Sequence, residues 1–100
     1  MPYIRLAGRN RLDNGLHTML QYMPVEAEEL NYVLTRICDT YINTKGKNYQ
    51  NLNEVVGVIE CMKQEIFRRL IVPYEDEKKN LNGDVYGKIT SKPVPPALPK

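Results

Sequence analysis

The residues that most often do chemistry are sparse in this chain. His17 is the only histidine, and Cys38 and Cys61 are the only cysteines. A zinc site needs about four convergent nitrogen, sulfur or carboxylate ligands, and two separated cysteines with one histidine do not spell one. Either thiol would need a base beside it to act as a nucleophile, and no such base lies near it in sequence. Asn80-Leu81-Asn82-Gly83-Asp84 invites comparison with a calcium loop. Aligning Gly83 to the loop glycine puts Lys78 at the first ligand position and Ile89 at the last, where a carboxylate is required. There is no phosphate-cradling glycine loop and no nucleophile elbow. The sequence therefore assigns no catalytic residue, no metal and no cofactor, and the expected mode of action is binding.

Two groups of residues suit binding. Arg36, Arg68, Arg69 and Tyr74 are the candidates for an anionic ligand, because a guanidinium offers a bidentate fork to phosphate and stacks on rings. The alternative for them is a solvated charged face, with Glu60 and Glu65 as partners and Glu65–Arg69 at the favoured i, i+4 spacing. Asn53, Gly57 and Cys61 recur every four residues and make a ridge of small side chains that lets another backbone approach closely. That ridge fits packing inside one chain or a seam between copies, and both readings stay open. With Ile66 and Leu70 it forms the candidate oligomer seam. Seven tyrosines with one phenylalanine and no tryptophan suit wet interfaces as well as core edges.

Helices must position these groups. Leu12, Leu16, Met19, Leu20 and Met23 step at helical spacing over about residues 10–22. Gly15 costs that helix about 1 kcal/mol relative to alanine, and Pro24 ends it. A second helix runs from Val25 or Glu26 to Thr44, with Leu30, Val33, Leu34, Ile37 and Tyr41 as its stripe. Glu26, Glu28 and Glu29 favour its positive end, and Lys45 and Gly46 its close. Asn48 or Asn51 can cap a third helix, whose stripe is Leu52, Val55, Val56, Ile59, Met62, Ile66 and Leu70. It reaches Val72, on the order of 35 Å, before Pro73 kinks or restarts it. Asn82-Gly83 is a stop signal. Val85, Tyr86 and Ile89 suggest a short strand or docked arm, and Pro93, Pro95, Pro96 and Pro99 an extended tail. The expected fold is all-α: an antiparallel helical hairpin with a short N-terminal helix, a long kinked third helix and an extended Pro-rich tail. Residues 1–86 form one helical domain and 87–100 the tail. Two helices bury one face each, so the short first helix covers part of the open side and another copy the rest.

Composition narrows the class. The chain has 100 residues, 14 Lys+Arg against 12 Asp+Glu, and a net charge of +2. A dedicated duplex-DNA binder usually carries a stronger basic stripe; here Arg5, Arg9 and Arg11 cluster mildly. No run approaches the roughly 18 apolar residues of a membrane span. A secreted domain of this size usually carries more cysteines, so reduced thiols packed as small hydrophobes and a cytoplasmic setting are expected.

Several stretches resemble a known family: Glu29-Leu30-Asn31-Tyr32, Leu52 to Cys61 (LNEVVGVIEC), Arg68-Arg69, Pro73-Tyr74-Glu75-Asp76-Glu77-Lys78 and Asn82-Gly83-Asp84-Val85-Tyr86. They are similar to small uncharacterised proteins of bacteriophages, prophages and some prokaryotic genomes. The likeness spans Glu29 to Tyr86 with the Met1–Ile4 opening; Arg5–Asn10 and the tail fall outside it. It implies a viral or mobile-element origin, in a host cytoplasm or a virion, and transfers no catalytic residue. The expected function is a non-enzymatic accessory protein that sequesters a host factor or a small anionic ligand as a homo-oligomer. The alternatives are a virion structural or assembly component and a nucleic-acid-binding accessory factor using Arg5, Arg9, Arg11 and the Arg68-Arg69 pair. A partner protein of host or phage is compatible with the first two.

Overall fold

A computed structural model describes residues 2–87, and these are all-helical, with no strand among them. The elements are α1 (Leu6–Leu20), α2 (Ala27–Lys45), α3 (Tyr49–Ile66), a π-helical turn (Phe67–Ile71) and α4 (Val72–Asn82). They fall into two units, residues 1–63 and 64–100.

The first unit holds α1, α2 and α3 as far as Lys63. α1 begins four residues earlier than its apolar spacing suggests. No side chain caps it; instead the Arg9 guanidinium Nε donates to the Ile4 carbonyl at 2.9 Å and ties the first turn to the extended residues before it. α2 opens on a capping box formed by two glutamates. Glu26 accepts from the N3 backbone, and Glu29 reaches back to the Val25 and Glu26 amides at 2.7 and 3.3 Å, so orphan donors at the helix start are satisfied from both sides. The acidic first turn thus does more than complement the dipole.

Between α2 and α3 the chain reverses in three residues. Gly46 sits at φ +115° and donates to Ile42 at 2.7 Å, a backbone conformation that side chains with a Cβ resist. Asn48 caps α3, its Oδ1 accepting the Asn51 amide at 2.9 Å. Asn51 lies inside the helix and is not its cap; its Nδ2 donates to the Gly46 carbonyl at 2.7 Å. At 8 % exposure it is the one buried residue among those described. The turn is therefore locked by a polar side chain.

The hairpin is antiparallel. At the turn end Lys45 and Tyr41 meet Glu54, and at the open end Ala27, Leu30 and Leu34 share a groove with Ile59 and Met62. The facing residues differ in part from the apolar stripe. Val55 is half-buried, and Val58, itself 63 % exposed, borders the α2–α3 groove, which Val56, at 64 % exposure, does not line. Periodicity locates a stripe but leaves its azimuth against the neighbouring helix free by a residue or so.

No hydrophobic residue is buried among those described. Leu12, Leu16 and Leu20 of α1 are exposed, as are Leu30, Ile37, Ile59 and Met62 of the hairpin. Met19 of α1 and Val33, Ile42 and Val55 of the hairpin are half-buried.

In the second unit the helical backbone passes Pro73 without ending. Pro73 brings no N–H and its ring crowds the carbonyl four residues back, here Arg69. The preceding turn widens to accommodate this: the Val72 amide bonds to Phe67, five residues back, and the junction residues Ile66, Ile71 and Val72 keep right-handed helical dihedrals. α4 stops at Asn82, with Gly83 at φ +94° and its amide on Lys79. Val85 and Tyr86 follow as irregular, exposed chain rather than a strand, with the Tyr86 amide turned onto Asp84 Oδ1 at 3.0 Å. Ile89 and the prolines of the tail lie outside the described residues.

Candidate functional site

An open feature of the first unit is apolar. Ala27, Leu30, Leu34, Cys38, Ile59 and Met62 line an open groove of roughly 480 Å³ between α2 and α3. A second, smaller groove of about 200 Å³ uses Ile37, Cys38, Tyr41, Val55, Val58 and Ile59. Each residue is there because one helical stripe of α2 lies beside one of α3.

One end of this surface carries charge. Lys45 Nζ stands 3.7 Å from Glu54 Oε1 and 5.5 Å from the centre of the Tyr41 ring, and the Tyr41 hydroxyl donates to the same carboxylate at 3.5 Å. The Tyr41 side chain first, and the Glu54 carboxylate next, hold the Lys45 ammonium above its ordinary value of 10.5. The folded-state value is raised, so this contribution is complete at neutral pH and is lost as pH rises through the alkaline range. The triad is an exposed tether between helices, of small worth in water.

The anionic-ligand candidates divide between the units. Arg36 lies on α2, exposed, in the first. Arg68, Arg69 and Tyr74 lie in the second. Arg68 Nη2 pairs with Glu65 at 2.9 and 3.2 Å, an i, i+3 pair. Lys78 Nζ stands 5.5 Å from the centre of the Tyr74 ring. The π-helical turn carries both arginines, and such turns recur at functional sites. Sequence reading missed this turn; Pro73 four residues after Arg69 was its signal.

The seam candidates also divide. Asn53, Gly57 and Cys61 are exposed in the first unit, and Ile66 and Leu70 in the second. A Cβ built on Gly57 meets nothing within 4 Å. Gly57 thus faces open space on the outer side of α3. Both thiols are free, Cys38 half-buried and Cys61 exposed. The expectation that both pack as small hydrophobes fails for Cys61, because it shares the outward ridge.

His17 is exposed on α1, its ring Nε2 3.4 Å from Gln21 Nε2. Among the described residues no three His, Cys, Asp or Glu side chains are placed to share a metal ion, and no helix is long and apolar enough to cross a membrane.

The profile of a family described as a domain of unknown function (DUF6899) matches residues 1–85. It includes Arg5–Asn10, which the resemblance in sequence had left out. No curated protein matches the chain, and no solved structure matches it.

Proposed function

We propose, for a chain that belongs to the family described as a domain of unknown function (DUF6899), that it is a non-enzymatic binding protein that works as a homo-oligomer and sequesters a small anionic ligand or a host factor. The resemblance to phage and prophage proteins supports an infected host's cytoplasm, or a virion, as its place of action.

One observation carries the reading. The apolar faces of α2 and α3 are formed and aligned, yet no hydrophobic residue among those described is buried. Ordering a backbone costs roughly 1–2 kcal/mol per residue, and burial of apolar surface is the main term that offsets it. Small helical chains commonly find the missing burial in another copy.

Ligand capture rests on the arginines. Arg68 and Arg69 with Tyr74 supply fork-like donors and a stacking ring in the second unit, Arg36 is a separate donor in the first, and the open ridge of Asn53, Gly57 and Cys61 offers a close approach to a second backbone. Native mass spectrometry of the protein purified from cells in which it acts tests both halves. The expected spectrum shows a multiple of the 11.6 kDa chain with a retained anionic mass that is lost in an Arg68→Ala, Arg69→Ala variant. A bare multiple that binds no anion would leave the protein-partner form of the reading alone, and a bare monomer would overturn it.

A further inference from the structure

We propose that a second copy of this chain lies antiparallel across α2, centred between Thr35 and Arg36, so that Leu34 of each copy packs beside Ile37 of the other. This rests on the reading that copies associate, and adds a specific self-contact that the seam candidates on α3 do not include.

The stripe of α2 has an internal symmetry. Leu30, Leu34, Ile37 and Tyr41 step by four, three and four, and the half-buried Val33 and Cys38 beside them lie equally far from the same midpoint. The pattern reads the same from either end about the midpoint of Thr35 and Arg36. Two such helices running in opposite directions bring Leu34 level with the partner copy's Ile37, and Leu30 level with its Tyr41. A closed two-fold contact requires self-complementarity of this kind, with residue i meeting j and j meeting i. The 4-3-4 stepping is also the coiled-coil seam, in which apolar side chains interdigitate at 8–10 Å between axes.

The face is open where the contact needs it. Ile37, beside the midpoint, is 55 % exposed. Leu30, Leu34 and Tyr41 are exposed along the same line, and the flanking grooves with α3 have room for side chains from a neighbour.

Charge selects the direction. Glu28 stands exposed in the first turn of α2 beside the capping glutamates Glu26 and Glu29, and Lys47 follows its C-terminal end, next to Lys45, which already pairs with Glu54. Antiparallel pairing sets each acidic end beside a basic one and opposes the helix dipoles. Parallel pairing would stack acid on acid and base on base. Where α3 also carries a seam, the two contacts take the assembly beyond a dimer.

The test uses the full chain in a Cys38→Ser, Cys61→Ser background. Leu34→Cys protein is mixed with Ile37→Cys protein, allowed to exchange, and treated with a short thiol-to-thiol crosslinker, while the mass of the uncrosslinked chain is measured by sedimentation. The expected result is a 34-to-37 crosslink at least about five times more abundant than either 34-to-34 or 37-to-37, because like positions sit about three residues, roughly 4.5 Å, out of level along the axis. A dominant 34-to-34 crosslink means parallel pairing and overturns the proposal. An oligomer with no crosslink at either position removes the contact from α2 and leaves the oligomeric reading standing. A monomer at every concentration overturns both.

Discussion

Asn51 offers the sharpest test of how the hairpin is held, because it is the one buried residue described and it is polar. Its Nδ2 donates to the Gly46 carbonyl at 2.7 Å, and its amide is the donor to the Asn48 cap at 2.9 Å. Asn51→Ala removes the first bond and keeps the second. A typical buried hydrogen bond is worth about 0.5–1.5 kcal/mol net, and an acceptor stripped of its donor without access to water costs about 1–3 kcal/mol. The Gly46 carbonyl gains some water when the side chain shrinks, so about 1.5 kcal/mol is expected. Asn51→Asp is worse, since a carboxylate has no hydrogen to donate and faces the carbonyl oxygen directly; about 2–3 kcal/mol is expected. Urea unfolding followed by circular dichroism, at one fixed protein concentration for all variants, reads both. The turn-locking reasoning fails if Asn51→Asp unfolds at the same urea concentration as the unsubstituted chain. It fails equally if Asn51→Ala is the costlier of the two.

Ile59→Ala should cost under about 1.5 kcal/mol in an isolated chain, where the side chain is 44 % exposed, and 2–5 kcal/mol where a partner buries it; unfolding at rising protein concentration shows the difference as a growing gap. Gly57→Leu fills the open side of α3, where a new Cβ meets nothing within 4 Å; it should lower the sedimenting mass, and the helicity with it, if the α3 seam is used. Pro73→Ala restores the missing amide and should let Phe67–Ile71 close into an ordinary α-turn, raising stability by a few tenths to about 1 kcal/mol. Amide exchange at residues 69–73 would slow accordingly, and unchanged exchange there would separate the π-helical turn from its assigned cause.

The class of fold was legible in the sequence because α2 and α3 have periodic stripes, charges suited to their ends and a glycine at the turn. Helix starts were less so. Glu26 is a glutamate in a position usually held by Ser, Thr, Asp or Asn, so its cap was read only as a charge. Leu6 begins α1 without any cap, and the Arg9-to-Ile4 bond that replaces one depends on side-chain reach. Pro73 was read as a kink or restart because the usual outcome of an internal proline is a break, whereas the widened turn absorbs it. The packing direction was the largest miss. Val56 and Val58 are equally apolar, and only the place of Glu54 opposite Lys45 and Tyr41 decides which of them borders α2. Of the candidate site, the outward ridge at Gly57 and the arginines at 68 and 69 were legible as positions. Their division between two units depends on contacts between residues distant in sequence.

The central claim is that these helices are completed by another copy of the chain. Sedimentation equilibrium and circular dichroism, followed together from high micromolar down to nanomolar concentration, test it most directly. The account predicts a mass that is a multiple of 11.6 kDa at the upper end, with helicity falling as the assembly dissociates, because a chain without a buried apolar core does not hold its helices alone. A species of one chain mass that keeps full helicity and a cooperative unfolding transition throughout that range would contradict it.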